Sequence, residues 1–217
     1  MKPNAKSPEL KNAISVEKMR RSDAYTIEHF VESKELMYRA AMGVYNAVSW
    51  PEHAKVFIFC GSGNNGGDGY ALASILQERG HYPTVFCVSE KFSPDGKYYF
   101  DKAKAAGVPV FSYTENSCAG GADVIVDCIF GTGFHGEPRG AAAAAIRNIN
   151  EMPAYTVSVD INSGMNGDTG EAVLAVKSDL TVSIGFYKTG HFLGRAEQLI
   201  GELVNVDIGI ILLPDGQ

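Results

Sequence analysis

Residues 55–79 read KVFIFC-GSGNNGGDG-YALASILQER, and this stretch decides the fold class. The apolar run at 55–60 is short and is bounded by turn residues, which is typical of a strand buried on both faces. A glycine-rich segment follows it at 61–69, and the chain then continues with helical amphipathicity until Gly80. A strand, a glycine-rich turn and a helix in this order predict one unit of a parallel sheet.

The same alternation continues along the chain in both directions. Further strands are predicted at 84–88, 108–111, 123–131, 155–160, 179–185 and 202–210, and further helices from Ser15 to about residue 28 and at 34–48, 95–106 and 139–150. Strands that alternate with helices over short connections predict a mostly parallel central sheet with helices on both faces.

Composition bounds the class of protein. The 217 residues are 45% hydrophobic and 20% charged, and their formal net charge of −6 argues against a dedicated nucleic-acid binder. No apolar run approaches the ~18 residues of a membrane span, and the first residues lack the apolar core of a secretory signal. We therefore expect one domain over residues 15–217, preceded by a flexible polar tail over residues 1–14.

Cysteine usage indicates a reducing compartment. The four cysteines form no C-x-x-C pair, and three of them lie within or at the end of apolar strand-like runs; they are Cys60, Cys87, Cys118 and Cys128. A disulfide framework or a zinc site is therefore disfavoured, and we expect buried free thiols in a protein of the cytoplasm.

Three predicted strands end in loops rich in glycine, asparagine and aspartate, at 60–69, 127–137 and 160–170. Ligands bind beyond the carboxyl ends of parallel strands, so these loops predict one site. The first loop also satisfies G-x-G-x-x-G, whose glycines and helix N-terminus suit a phosphate. The alternative to phosphate binding is a purely structural role, in which the glycines allow a tight turn that requires positive φ. Three oxygen-bearing side chains within five residues, Asn64, Asn65 and Asp68, favour a function.

Two aspartates at this edge have two interpretations each. Asp127 lies inside the apolar run VIVDCIF and Asp160 ends the run YTVSVD, so each needs hydrogen-bond donors or a cation if it is buried. Asn65 and Ser163 bring neutral oxygens to the same edge. Without a His/Cys cluster, such a set would suit a hard cation such as Na⁺, K⁺, Mg²⁺ or Ca²⁺ rather than zinc.

Other catalytic patterns are weak. The chain has no G-x-S-x-G elbow and no lysine in P-loop spacing, which disfavours a hydrolase and a nucleoside triphosphatase. His135 lies in the second loop and could contact a ligand. For His29, His53, His81 and His191 we expect surface or capping roles.

The loops resemble motifs of the YjeF N-terminal-domain family, the NAD(P)H-hydrate epimerases. The similar segments span roughly residues 15–207 and are ELMYRAAMGVYNAV, GSGNNGGDGYALA, VDCIFGTGFHGEPRG, VDINSGMNGDTG and SIGFYKTGH. The first segment has AAMG where a glycine more often follows the alanine, and the last lacks a proline that often precedes its lysine. The resemblance implies a three-layer α/β/α Rossmann-like fold and a homodimer.

The resemblance also implies an isomerase of nicotinamide nucleotide repair. It would interconvert the R and S hydrates of NADH and NADPH (NADHX and NADPHX) upstream of an S-specific dehydratase, and it would bind one K⁺ per subunit through Asn65, Asp127 and Ser163. Carried over by position, the substrate-binding residues would be Asn64, Asn65, Gly66, Gly67, Asp68, Gly131, Thr132, Gly133, Phe134, His135, Gly136, Glu137 and Asp160.

Asp160 is the candidate catalytic residue, because a carboxylate can donate and accept a proton and balance a positively charged ring. Hydrogen bonding to the ligand alone is the other role open to it. Two other functions remain alternatives: an NAD(P)-dependent oxidoreductase, with Glu90 as a residue for the ribose hydroxyl, and a non-catalytic Rossmann-like module that binds a nucleotide or RNA.

Overall fold

The computed structural model describes residues 1–115, 117 and 121–214, and Cys118 lies outside them. A seven-stranded sheet forms its centre, with the strand order β3-β2-β1-β4-β5-β6-β7 and every pairing parallel. The strands are β1 (Lys55–Cys60), β2 (Tyr82–Cys87), β3 (Val110–Ser112), β4 (Val124–Cys128), β5 (Tyr155–Val159), β6 (Ser178–Ile184) and β7 (Ile200–Val206). The predicted parallel sheet is therefore confirmed.

Helices cover both faces of this sheet. They are α1 (Val16–His29), α2 (Ser33–Ala47), α3 (Asn64–Glu78), α4 (Pro94–Ala105), α5 (Gly140–Glu151) and the short α6 (Ala196–Leu199). Alternate residues of β1 enter different cores: Ile58 packs in the core that α2, α3 and α4 cover, whereas Phe57 and Phe59 pack in the core that α5 covers. This two-sided burial explains the unbroken apolar run of β1, and it gives the three layers of the expected α/β/α Rossmann-like fold.

Local capping sets where two helices begin. Ser15 Oγ accepts a hydrogen bond from Lys18 N at 3.2 Å at the start of α1, and Ser93 Oγ accepts one from Gly96 N at 3.1 Å at the start of α4. Serine at these positions satisfies an N–H group that has no partner within its own helix. The N-cap role predicted for Ser15 is confirmed.

The first 14 residues lie against the sheet, in contrast to the free tail expected from their polarity. Met1 N donates to Leu203 O at 3.1 Å on the edge strand β7, and Ile14 pairs with Lys188 in an isolated parallel bridge. An edge strand offers unpaired main-chain groups, so even a polar segment can add to it. The segment thereby braces the loop that follows β6.

Three cysteines are buried free thiols, as predicted: Cys60, Cys87 and Cys128. None of the helices among the described residues combines the length and the apolar character needed to span a membrane.

The strand order reverses direction between β1 and β4, which is the point where ligands bind in doubly wound sheets. The loops after these two strands approach closely: a Cβ on Gly61 would lie 1.9 Å from Ile129 O. Only glycine permits this approach, so Gly61 brings the first two predicted loops together.

Candidate active site

A cavity of about 540 Å³ opens at this edge of the sheet. This volume lies in the range of about 300–1,000 Å³ usual for small-molecule sites. Its floor comes from the loops after β1, β4 and β5, and one wall comes from α1 and α2. Its lining includes Ser62, Gly63, Asn64, Asn65 and Asp68 from the first loop and α3, Ile129 to Thr132 with Gly133 and Phe134 from the second loop, Asp160 from the third, and Met19, Arg20, Asp23, Leu36 and Met37 from the wall. The three loops predicted to share one site do so.

The N-terminus of α3 points its first N–H groups at this cavity. Gly63 is the N-cap and supplies no side-chain cap, and it lines the cavity with Ser62 and Asn64. The N–H groups of a first helical turn lack partners within the helix, and the helix dipole adds a partial positive charge there. This end of the cavity is therefore suited to an anionic group such as a phosphate.

Gly66 and Gly67 serve packing rather than the cavity surface. A Cβ on Gly66 would lie 2.2 Å from Gly61 O, and one on Gly67 would lie 2.5 Å from the Met37 side chain. Both glycines are buried and lie outside the cavity lining. They let α3 start directly behind the loop and let α2 pack against it.

Asp127 is completely buried and its carboxylate accepts four hydrogen bonds. Oδ2 accepts from Ser163 N at 2.8 Å and from Ser158 Oγ at 3.0 Å. Oδ1 accepts from Ser163 Oγ at 2.5 Å and from Ile129 N at 3.2 Å. Burial raises the pKa of Asp127, and the hydrogen bonds from Ser163, Ile129 and Ser158 oppose that rise. The loop-capping role considered for Asp127 is thus present in the structure.

Asn65 and Ser163 join this network through the second loop. Ser163 Oγ accepts from Phe130 N at 2.8 Å, and Asn65 Nδ2 donates to Phe130 O at 2.9 Å. Asn65 is 6% exposed, and its Oδ1 atom is buried without a hydrogen-bond partner in the part of the chain that the structure describes. A buried amide oxygen needs a donor or a cation.

The donor set therefore fits a hard monovalent cation. It holds the unpartnered amide oxygen of Asn65, a carboxylate, a hydroxyl and the main-chain carbonyl of Phe130. Among the described residues, no group of three or more His, Cys, Asp or Glu side chains is placed to hold a metal ion. A zinc-type centre is therefore not formed by those residues, whereas a mixed oxygen set suits an ion that accepts irregular coordination.

Asp160 lines the cavity in a left-handed backbone conformation. Its φ is +66°, a left-handed value that is uncommon for residues other than glycine and that Asn and Asp tolerate best. Its main-chain N donates to Val182 O at 2.8 Å and its Oδ2 accepts from Thr132 N at 3.3 Å. Held strain of this kind is concentrated at functional sites.

Lys188 forms a salt bridge and hydrogen bond with Asp160 Oδ1. The lysine side chain is 1% exposed and that of Asp160 is 16% exposed. Burial alone would raise the pKa of Asp160, but the Lys188 ammonium, His191 and the Thr132 N–H together hold that pKa below its usual value. Asp160 therefore stays ionised at neutral pH.

His191 holds this pair in place through hydrogen bonds to the main chains of both residues. Its Nδ1 accepts from Lys188 N at 3.1 Å, which makes Nε2 the protonated nitrogen, and Nε2 donates to Asp160 O at 2.9 Å. Burial, reinforced by Lys188, lowers the pKa of His191 to about 3, so the imidazole is neutral. His191 is a buried residue that has a capping role, so the capping role predicted for it is confirmed and the surface role is not.

Asp68 and Asp23 are two further carboxylates on the cavity wall. Burial raises the pKa of Asp68 well above its usual range, and the charges of Asp160 and Asp23 raise it further against a smaller opposing effect of Lys188. Burial likewise raises the pKa of Asp23, with Asp160 adding to the rise. The site thus contains one carboxylate whose pKa is lowered and two carboxyl groups whose pKa values are raised.

The second loop divides between the cavity and solvent. Gly131, Thr132, Gly133 and Phe134 line the cavity, and Phe134 stacks on Phe130 with the ring centroids 4.2 Å apart. The remaining substrate-binding candidates of this loop, His135, Gly136 and Glu137, are exposed and lie outside the cavity lining. The side chain after β2 proposed for a ribose hydroxyl, Glu90, is also exposed and outside it.

Sequence reasoning missed Asp23 and Lys188 as site residues. Lys188 lies in the motif SIGFYKTGH. A lysine within an otherwise apolar and glycine-rich segment is the sequence feature that could have indicated a buried site residue. Asp23 carried no signal, because polar residues are ordinary on the outer face of an amphipathic helix.

A profile of the family described as YjeF-related protein N-terminus matches residues 33–190. The chain belongs to this family. Three relatives illustrate its two architectures. The NAD(P)H-hydrate epimerase of Limosilactobacillus fermentum is 32% identical over 199 residues, which are 90% of this chain and 96% of that protein. The NAD(P)H-hydrate epimerase of Limosilactobacillus reuteri is 33% identical over 88% of this chain and 92% of that protein.

In the third relative, the bifunctional NAD(P)H-hydrate repair enzyme Nnr of Coxiella burnetii, the match is 32% identical and covers 88% of this chain but 40% of that protein. Among solved structures, the yeast protein YNL200c has a similar fold, with a TM-score of 0.75 at 22% identity over 94% of this chain and 96% of that chain. At this identity the likeness shows the shared fold, which agrees with the seven-stranded parallel architecture.

Proposed function

We propose that this chain is an NAD(P)H-hydrate epimerase, which interconverts the R and S hydrates of NADH and NADPH. The observation that carries the proposal is the meeting, in one cavity, of the open N-terminus of α3 with the ionised carboxylate of Asp160. The first element suits the diphosphate of a dinucleotide and the second suits a positively charged ring. Relatives that carry this name and match this chain over nearly their full length support the same activity.

The chemistry of the substrate explains why such a pair is needed. In the hydrate, a hydroxyl group on C6 of the ring sits next to the ring nitrogen, as in a hemiaminal. When the hydroxyl leaves with a proton as water, the nitrogen lone pair forms a double bond to C6 and the ring becomes planar and positive. Water can then add to either face, so the reaction needs a proton carrier and a negative charge near the ring.

Asp160 is well placed to provide that negative charge. Its left-handed backbone, its salt bridge to Lys188 and the hydrogen bond from Thr132 N hold the carboxylate before the ring arrives. A group fixed in advance avoids reorganisation during the reaction, which is how electrostatic catalysis gains most of its effect. Because Asp160 is ionised, it is a poor proton donor, so its role is to stabilise charge rather than to act as the acid.

The phosphates would lie at the N-terminus of α3. The N–H groups of the first turn there donate to no side-chain cap, and Arg20 on α1 lines the same cavity. These groups explain how a chain of net charge −6 can hold an anionic dinucleotide.

We also propose that Asn65, Asp127 and Ser163 hold one K⁺ beside the substrate. The unpartnered Asn65 Oδ1 and the buried Asp127 carboxylate support this set. When bound there, the ion would supply a fixed positive charge. The residues themselves already tie the first and second loops together through Phe130, so they order the loops that contact the substrate.

A homodimer in the cytoplasm, working with an S-specific dehydratase, completes the proposal. Bifunctional relatives named repair enzymes support the pairing with a second activity. Exposed apolar side chains support the dimer: Ile27 on α1 and Phe30 directly after it are 37% and 61% exposed, and Ile211 and Leu212 are 45% and 41% exposed. The two segments are neighbours, because Ile211 N donates to Thr26 Oγ1 of α1 at 2.9 Å. Phe30→Asp should halve the mass measured by light scattering, and an unchanged mass would reject this surface.

The activity is tested with a mixture of R and S hydrates and a separate S-specific dehydratase. The dehydratase alone should consume only the S form and then stop. Addition of this protein should carry the conversion to completion, because it resupplies the S form from the R form. Asp160→Asn protein at the same concentration is the matched control. If the R form is consumed no faster with the wild-type protein than by spontaneous epimerisation, the proposal is rejected.

A further inference from the structure

Asp68 lines the cavity and has no partner of its own among the described residues. It is the fifth residue of α3 and it lines the cavity together with Asp160 and Asp23. Its carboxyl group makes no hydrogen bond or salt bridge with any other residue that the structure describes. Asp127, by contrast, lies outside the cavity lining and accepts hydrogen bonds from Ser158 and Ser163, so Asp68 and Asp23 are the cavity carboxyl groups that are open to a ligand.

The charges around Asp68 favour its protonated form. Asp160 of the third loop and Asp23 of α1 both raise the pKa of Asp68 through their charges. The other charged groups that line the cavity are Asp95 of α4 and Arg20 of α1, and the thiol of Cys60 also interacts with Asp68. The nearest cation, the Lys188 ammonium, is committed to Asp160 and to Ile184 O at 2.8 Å. Like charges near a buried carboxyl group favour the bound proton. The helix dipole opposes this, but it weakens within the first turn and Asp68 lies beyond it.

We propose that Asp68 is the proton carrier of the epimerisation, and that Asp160 is the anion that balances the ring. This inference rests on the proposed function and assigns within it a role that Asp160 cannot fill. Two carboxyl groups in one site, one with a raised pKa and one with a lowered pKa, form the division of work expected of an acid and a charge stabiliser.

Each step balances with these two residues. The Asp68 carboxyl group donates its proton to the C6 hydroxyl, the C6–O bond breaks, and water leaves while the nitrogen lone pair forms the N1–C6 double bond. Asp160 faces the positive ring without a change of protonation. Water then adds to the opposite face of C6, the double-bond electrons return to N1, and the proton lost by the water returns to the Asp68 carboxylate, directly or through a second water molecule.

The other candidate acids are less suited. His135 and Glu137 are exposed and outside the cavity lining. Both ring nitrogens of His191 are occupied by main-chain groups. Asp23 lies on α1, lines the same cavity and, like Asp68, has a raised pKa. The experiment therefore has to separate Asp68 from Asp23.

The test compares Asp68→Asn with Asp23→Asn in the full-length protein. Conversion of a single purified epimer is followed by chromatography over a pH series, with the spontaneous rate subtracted, and hydrate binding is measured by calorimetry. We expect Asp68→Asn to lose roughly 10²–10⁴-fold in kcat with binding retained. Asp23→Asn should lower kcat much less than Asp68→Asn does, and it should lose activity at a lower pH than the wild type, because the Asp23 carboxylate is one of the groups that raise the pKa of Asp68.

A second measurement is independent of activity. Above the ordinary Asp pKa of about 3.9, a carboxyl group that stays protonated in the folded state makes the folded state less stable as the pH rises through its folded pKa. The isosteric Asp68→Asn variant lacks this effect. The free energy of unfolding of Asp68→Asn minus that of the wild type, both measured in urea, should therefore increase as the pH rises.

The outcomes separate the two proposals. Wild-type protein without epimerase activity overturns the proposed function, and the proton-carrier assignment falls with it, whatever the unfolding measurement shows. Active wild type with an Asp68→Asn variant that keeps its rate and pH profile overturns the Asp68 assignment alone. Loss of all activity in Asp23→Asn at every pH, with an active Asp68→Asn, transfers the role to Asp23 and also overturns it.

Discussion

Replacement of Lys188 by methionine tests the electrostatic design of the site. The substitution keeps most of the buried side-chain volume and removes the ammonium that pairs with Asp160 and donates to Ile184 O at 2.8 Å. Removal of one partner from a buried ion pair costs about 3–5 kcal/mol, because it leaves an uncompensated charge. Asp160 keeps 16% exposure and therefore some hydration, so we expect about 3 kcal/mol of lost stability near neutral pH.

The loss should depend on pH in a definite direction. In the wild type, Lys188 helps to hold the pKa of Asp160 below its usual value, so this stabilisation is present above the unfolded pKa and is lost as the pH falls through the folded pKa. Without Lys188, burial favours the protonated carboxyl group. The difference in free energy of unfolding between wild type and Lys188→Met should therefore shrink toward acidic pH.

The assay is urea unfolding of four proteins: wild type, Lys188→Met, Asp160→Asn and the double variant. Asparagine tolerates the left-handed backbone of Asp160, so this variant reports on charge rather than on strain. The two substitutions remove one interaction, and we expect the double variant to be at least about 1 kcal/mol more stable than additivity predicts. Additive losses, or a loss for Lys188→Met that does not change with pH, would refute the role given to this pair.

Three further predictions concern the loops around the cavity. Asp160→Asn should fold and bind the hydrate but lose roughly 10²–10⁴-fold in kcat, as measured by conversion of a purified epimer; retained turnover would reduce Asp160 to a binding residue. Asp127→Ala should lower hydrate affinity as potassium removal does, and the two losses of affinity, measured by calorimetry, should not add. The substitution should also lower the free energy of unfolding, because it leaves several buried donors without an acceptor. Equal wild-type affinity with and without potassium would reject the ion. Gly61→Ala should lower the free energy of unfolding measured in urea, because the new Cβ would lie 1.9 Å from Ile129 O. Gly63→Ala is the control and should have little effect, because there is open space around Gly63. Equal effects would show that the close approach of the loops is not required.

Much of the fold follows from local sequence. The unbroken apolar run of β1 and the glycine-rich turn behind it identify a strand buried on both faces and a helix that starts at once, and both are present. Strand ends are less well determined. The last strand, predicted over 202–210, is β7 over Ile200–Val206, because pairing with β6 sets its limits and begins at Ser178 opposite Ile200.

The site was predictable where polar residues interrupt an apolar pattern. Asp127 within β4 and Asp160 at the end of β5 are such interruptions, and both lie in the network that the loops form. Asp23 could not be found in this way, because its place on the cavity wall depends on how α1 packs across the loops. The same holds for residues 1–14, whose contacts with β7 depend on that strand lying at the edge of the sheet.

Conversion of one purified hydrate epimer in ¹⁸O-labelled water tests the central claim most directly. If the C6–O bond breaks in the cavity, the water that adds to the opposite face is not the molecule that left, so every molecule of the new epimer should carry the label at C6. Mass spectrometry of the two epimers, separated by chromatography at short reaction times, reads this out. Enzymatic formation of the other epimer with its original oxygen would contradict cleavage of the C6–O bond and the roles proposed for Asp68 and Asp160.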